Sequence, residues 1–207
     1  MASDRQADSL AEAFAQVPRE LFLPAKERGF ASSNVPLQIG DGQTNSQPST
    51  VADMLTLLGP REGDRVLDLG SGSGWTTALL GVLVGRHGQV SGVERHRRLI
   101  DSARTSLSEI DPDAVDLGSV EIIAATEGVL GLPEAGPFDR ILVSAEAESL
   151  PYELVEQLCI GGVMVIPVGG DMLRVVRNGP AGADAASDAD ISITRHGSYR
   201  FVPLILD

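Results

Sequence analysis

A chain of 207 residues suits one domain, or two at most, since domains usually run to roughly 100–200 residues. Hydrophobic residues make up 43% and charged residues 22%, a globular balance that excludes a disordered or fibrous chain. The net charge of −13, from 29 acidic and 16 basic residues, disfavours nucleic acid as a partner, because phosphates are gripped by lysine and arginine. No apolar run reaches the ~18 residues of a membrane span, so no membrane partner is expected. The start, Met1-Ala-Ser-Asp, lacks the basic-then-apolar pattern of a secretory leader, and a cytoplasmic location is the expectation. Cys159 stands alone, which excludes an intramolecular disulfide and a cysteine-built zinc site; no metal is expected.

In chain order, the first predicted helix carries Leu10, Phe14 and Val17 on one face. A second carries Val51, Met54, Leu55 and Leu58, with Ser49 or Thr50 as its cap. Between them runs Ala31 to Pro48, too long and polar for a simple connector, and long ordered loops in compact domains are usually functional. From Val66 onward, continuously apolar runs alternate with helical stretches. That pattern predicts a parallel sheet with crossover helices, its strands buried on both faces. The strands are expected at Arg65–Leu69, Gln89–Glu94, Val120–Ala124, Arg140–Ser144 and Val163–Val168. The helices between them are expected at Trp75–Arg86, Arg95–Glu109 and Pro151–Cys159, the last ended by Gly161-Gly162. Met172–Arg177, Ile191–Arg195 and Tyr199–Leu206 read as terminal strands, with a polar surface loop over Gly179–Asp190. No repeat or interdomain linker interrupts the chain. It reads as one domain over 1–207: helices and a site loop over 1–60, a core over 61–170, and C-terminal strands over 171–207.

The most informative stretch is Val66-Leu-Asp68-Leu-Gly70-Ser71-Gly72-Ser-Gly74-Trp75, a strand running into a glycine-rich turn and then a helix. Glycines there let the backbone approach a ligand and take up positive φ. A dinucleotide turn needs G-x-G-x-x-G, but Trp75 or Thr77 occupies the last glycine position in either register. G-x-G-x-G after an acid resembles motif I of the S-adenosylmethionine-dependent methyltransferases. Glu94, twenty residues beyond Gly74 at the end of the next strand, is placed to accept hydrogen bonds from two ribose hydroxyls. Dehydrogenases use an acid in the same way, so Glu94 alone does not discriminate.

Five further blocks resemble the protein-L-isoaspartate O-methyltransferase family. They are Val17-Pro-Arg-Glu-Leu-Phe22, Gly42-Gln-Thr-Asn-Ser-Gln-Pro48, Phe138-Asp-Arg-Ile-Leu-Val143, Gly162-Val-Met-Val-Ile-Pro-Val-Gly169 and Arg200-Phe-Val-Pro-Leu204. The resemblance implies a Rossmann-like doubly wound α/β sheet with an N-terminal helical segment and at least one antiparallel C-terminal strand. It implies S-adenosylmethionine as methyl donor and, as acceptor, the free carboxylate of an isoaspartyl residue in a damaged protein or peptide. The methyl ester then cyclises spontaneously to a succinimide, whose hydrolysis returns some normal aspartate. A monomer is expected. By the same resemblance Ser46 lies beside the acceptor carboxylate, with Gln43 and Thr44 as loop neighbours. Arg200 and Val202 belong to the segment that holds the substrate backbone. Asp68, Gly70, Ser71, Gly72, Gly74, Glu94, Glu127 and Gly128 hold the cofactor. His87, His96 and His196 read as surface or structural residues, and Cys159 as a small buried one.

Four positions depart from the family pattern. Asn45 stands where a bulky aliphatic is usual, and Ser49 where a large residue follows the proline. Thr126-Glu127-Gly128 replaces Gly-Asp-Gly, and Ser144-Ala-Glu146-Ala-Glu148 replaces an Ala-Ala-Pro-like segment. Carboxylates at Glu146 and Glu148 would disfavour an anionic acceptor unless they point away or meet a cation. Two alternatives fit the same residues: a carboxyl methyltransferase of the same family with a dedicated peptide substrate, and a non-catalytic S-adenosylmethionine-binding homologue.

Overall fold

The computed structural model describes residues 2–112, 114–179 and 190–205. Its core is a seven-stranded sheet built from β3 (Arg65–Leu69), β4 (Gln89–Glu94), β5 (Ser119–Ala124), β6 (Phe138–Val143), β7 (Leu158–Val168), β8 (Asp171–Arg177) and β9 (Ile191–Ser198). The order is β5-β4-β3-β6-β7-β8-β9, with the first five in that order parallel and the last two antiparallel. The chain winds outward from β3 to β5, then crosses back to β6. The switch point between β3 and β6 therefore opens a crevice at the carboxyl ends of the strands.

Helices cover both faces of the sheet because its central strands, β3, β6 and β7, are apolar on both. On one side α1 (Ala2–Gln16), α2 (Pro48–Leu58) and α3 (Trp75–Val84) pack Ala13, Met54, Leu55, Leu79 and Leu80 against Val66, Val90 and Leu142. On the other, α5 (Tyr152–Glu156) sets Leu154 and Val155 against Leu67, Ile141 and Met164. The helix α4 (Arg97–Ser108) meets β5 through Ile100, Ala103 and Ile122.

Four local expectations are corrected. The Ala31–Pro48 stretch is not all loop: β1 (Leu37–Gly40) and β2 (Gln43–Asn45) form a small antiparallel hairpin turning at Asp41-Gly42, both at positive φ. Ser49 and Thr50 do not cap α2. Pro48 occupies the first turn, where its missing N–H costs nothing, so the helix begins ahead of both. The predicted helix over Pro151–Cys159 is only five residues long, because β7 begins at Leu158, pairing with Phe138. Gly161 and Gly162 therefore sit in a strand irregularity rather than past a helix end. Gly161 takes φ +84°, and a Cβ on Gly162 would lie 2.8 Å from the Cys159 carbonyl. Cys159 itself is a half-buried strand residue whose thiol donates to Asp139 Oδ1 at 3.5 Å.

The fourth correction concerns Tyr199–Leu206, where a strand was expected. Residues 199–205 make a single parallel bridge, Pro203 to Glu146, since proline brings no donor to a ladder. The end of that stretch, Leu206, and most of the predicted surface loop, 180–189, lie outside the described residues.

Candidate active site

The turn after β3 is organised from beneath and from the side. Gly70, Gly72 and Gly74 take φ of +81°, +55° and +84°, the left-handed region that a side chain disfavours. The Gly70 and Ser71 N–H groups both donate to the Val93 carbonyl, at 2.9 and 3.0 Å. Gly74 caps α3 and lets α4 approach, for a Cβ there would meet Ala103 Cβ at 3.0 Å. Asp68 is fully buried under the turn, and Thr77 donates its hydroxyl to Oδ2 at 2.7 Å. Its other oxygen has no partner among the described residues. Burial pushes its pKa from 3.8 to about 7, with the Glu94 charge adding to the rise and the Thr77 hydrogen bond opposing it.

Glu94 ends β4 with its carboxylate already engaged. Oε2 accepts the Gly72 N–H at 2.9 Å, and Oε1 accepts the Arg95 and His96 N–H groups, each at 2.8 Å. The residue thus shapes the turn as well as facing the crevice.

The hairpin β1–β2 stands apart from the main sheet and is fixed by side chains. Arg19, only 5% exposed, lies 5.3 Å from the Trp75 ring centroid and donates to six oxygens. Five are the carbonyls of Ala31, Ser33, Val35, Asn45 and Ser46, the last at 2.8 Å; the sixth is Asn45 Oδ1, at 2.7 Å. Burial lowers the Arg19 pKa from 12.5 to about 10, which leaves it cationic at neutral pH. Asn45 is buried too, and its Nδ2 donates to Ser73 Oγ at 3.0 Å. On the far side Arg98 donates to the Ile39 carbonyl at 2.9 Å and pairs with Asp41 at 3.1 Å.

Turn and hairpin wall one cavity of about 1060 Å³. Its lining includes Gln43, Thr44, Ser46, Gly70, Ser71, Gly72, Glu94, Glu127, Gly128, Arg200 and Val202, so the structure brings together most of the residues picked from sequence. Asp68 and Gly74 are not in the wall; they support it from behind. His96, read from sequence as a surface or structural residue, lines the cavity. Glu146 and Glu148 lie outside the lining. The Glu146 backbone is spent on the C-terminal segment, its N–H donating to Val202 O at 2.8 Å and its carbonyl accepting Leu204 N–H at 2.7 Å. The same segment is tied to α2 by the Tyr199 hydroxyl, which donates to Asp53 Oδ2 at 2.9 Å. Burial raises the Tyr199 pKa first, and the Asp53 bond and charge raise it further.

Sequence reasoning missed Arg19, Ser73 and Trp75 as parts of the site, and picked out Asn45 only as a departure from the family pattern. The signals were present: an arginine inside the apolar block Val17–Phe22, and a polar amide at a position that usually holds an aliphatic.

A crevice at a sheet switch point, entered by a glycine turn and answered by an acid on the next strand, defines a Rossmann-like cofactor site, and the G-x-G-x-G spacing of that turn is the methyltransferase form. The family model described as Protein-L-isoaspartate(D-aspartate) O-methyltransferase matches residues 2–206, and the chain belongs to that family. A protein-L-isoaspartate O-methyltransferase of Aeropyrum pernix is 43% identical over 194 residues, covering 94% of this chain and 71% of the relative. One from Methanopyrus kandleri is 41% identical over 200 residues, covering 97% of this chain and 84% of the relative. A Plasmodium falciparum structure, described as a protein-L-isoaspartate O-methyltransferase in complex with S-adenosyl-L-homocysteine, superposes with a TM-score of 0.80. It is 24% identical, covers 97% of this chain and 91% of its own, and shares the fold.

Proposed function

We propose that this chain transfers a methyl group from S-adenosylmethionine to the free carboxylate of L-isoaspartyl residues in damaged proteins or peptides, as the repair enzymes of its family do. The observation that carries this reading is the single cavity walled by both the Gly70–Gly74 turn and the Gln43–Ser46 loop. The residues fit the cofactor. Glycines keep the turn free of side chains, the buried Ser71 Oγ has no partner within the described structure, and Glu94 brings a carboxylate to the wall. When bound, S-adenosylmethionine supplies an electrophilic methyl group on a sulfonium centre.

The chain's own residues then bind and orient. Gly70, Ser71 and Gly72 would present backbone and a hydroxyl to the cofactor, Glu94 would accept from its ribose hydroxyls, and Glu127 and Gly128 would help to hold its base. Asp68 and Gly74 act through the turn they support. An acceptor carboxyl with an ordinary pKa near 4 is ionised at neutral pH, so it needs no strong general base. Ser46 orients it by a hydrogen bond, Gln43 and Thr44 flank it, and the Arg200–Val202 segment holds the peptide backbone. Glu146 and Glu148 lie outside the wall, which supports an anionic acceptor beside Ser46. Rate enhancement then rests on positioning in a site closed to water.

Residues spread from Arg19 to Val202 contribute to this site, which supports reading the chain as one domain, and we take a monomer as the working unit. The net charge of −13 supports a partner other than nucleic acid, and a lone cysteine suits a reducing cytoplasm. No described helix is long and apolar enough to cross a membrane. Incubation with methyl-labelled cofactor and a matched peptide pair tests the reading. Label is expected in the isoaspartyl peptide and absent from its aspartyl twin; equal labelling, or none, would overturn it.

A further inference from the structure

We propose that Asn45 is a positioning residue for methyl transfer, a strut that sets the spacing between the acceptor loop at Ser46 and the cofactor turn at Ser73. This rests on the reading above that both walls of the cavity serve one reaction. The hairpin β1–β2 belongs to its own two-stranded sheet, so no ladder hydrogen bond fixes it relative to the core. Side chains do so: Ile39 packs on the turn, its Cδ1 lying 3.3 Å from where a Cβ on Gly72 would stand, and Asn45 makes the polar link from hairpin to turn, Nδ2 to Ser73 Oγ at 3.0 Å.

The chemistry fixes which way its amide faces. A guanidinium only donates, so the atom facing Arg19 Nε at 2.7 Å is the amide oxygen, and the amide nitrogen is left for Ser73. Arg19 also holds the carbonyls of Asn45 and Ser46, at 3.1 and 2.8 Å. The peptide that bears Ser46 is therefore pinned on one side by Arg19 and, one residue earlier, by the turn. An aliphatic side chain at 45 would leave Arg19 Nε and Ser73 Oγ unpaired in a buried place, and nothing polar would join loop to turn. In-line transfer depends on reacting atoms held about 3–3.5 Å apart, so a strut between the two walls acts on turnover more than on cofactor binding.

The test compares wild type with Asn45→Leu and Asn45→Asp. It measures kcat and KM on an isoaspartyl peptide, S-adenosylhomocysteine affinity by calorimetry, and hydrogen exchange at the amides of residues 43–46. Asn45→Leu should lower kcat about 10- to 100-fold, as a small misplacement of reacting groups does, while cofactor affinity holds. Exchange at 43–46 should quicken in that variant, with α3 and β6 unchanged. Asn45→Asp should restore both readouts, because a carboxylate accepts from Arg19 Nε and from the Ser73 hydroxyl alike. Wild-type kcat or wild-type exchange in Asn45→Leu, or an Asp variant as impaired as the Leu variant, would overturn the proposal. If wild type methylates no isoaspartyl peptide, the functional reading falls on its own, and the exchange measurement still decides whether the strut exists.

Discussion

Ser46 and Asp68 stand for two kinds of residue in this site, one facing the cavity and one holding its wall. Ser46 has its carbonyl fixed by Arg19 and lines the cavity. A single positioned hydrogen bond to a charged group is worth about 1.5–3 kcal/mol, so Ser46→Ala should cut kcat by about ten- to a hundredfold. Cofactor affinity, measured by calorimetry, should stay as it is; Thr44 in the same wall pulls the loss toward the lower end. Asp68 predicts a pH effect. Its pKa is higher folded, about 7, than the ordinary 3.8, so the folded protein holds this proton more tightly than the unfolded chain. Its contribution to stability is therefore full below about pH 4 and is lost as the pH rises through about 7. Asp68→Asn keeps an acceptor for Thr77 without the charge. The melting temperature of this variant should gain on wild type between about pH 5 and pH 8; a constant difference would contradict the assignment. Glycines and Glu94 were legible as residues because a turn that admits a ligand needs positive φ and an acid has a place on the next strand. The bond between Arg19 and Asn45 was not, for although both residues stand out in their blocks, their meeting in a buried place is a tertiary fact.

At the scale of elements, the parallel strands were legible because strands buried on both faces read as continuous apolar runs. The five-residue α5 was not. Gly161-Gly162 looks the same in sequence whether it ends a helix or relaxes a strand, and only the pairing of Leu158 with Phe138 separates the two. The hairpin over Leu37–Asn45 was hidden for another reason: its apolar pattern is only Leu37 and Ile39, packed on Leu23 and Leu99, and the rest of its placement comes from Arg19, Asn45 and Arg98. That arrangement makes Arg19 the main fastener of an element. Arg19→Met would leave five carbonyls and the Asn45 amide oxygen without their donor while keeping much of the packing on Trp75. Unfolding by denaturant should show a loss on the order of 2–4 kcal/mol. Arg19→Lys should recover little of it, since an ammonium cannot span the same fan of acceptors. A loss within about 0.5 kcal/mol, typical of surface changes, would remove Arg19 from this role.

Across the whole molecule, charge, fold and site point the same way. The sheet's switch point places the glycine turn and Glu94 in the wall of a cavity that the hairpin and the C-terminal segment also line. The departures at Asn45 and Glu146 keep the site coherent, one by tying loop to turn and the other by staying out of the wall. The most direct measurement follows an isoaspartyl peptide past methylation, by chromatography that separates it from its succinimide and its aspartyl twin. With S-adenosylmethionine present, the isoaspartyl form should be consumed over repeated cycles and the aspartyl form should accumulate. Consumption no faster than in a cofactor-free control would contradict the account.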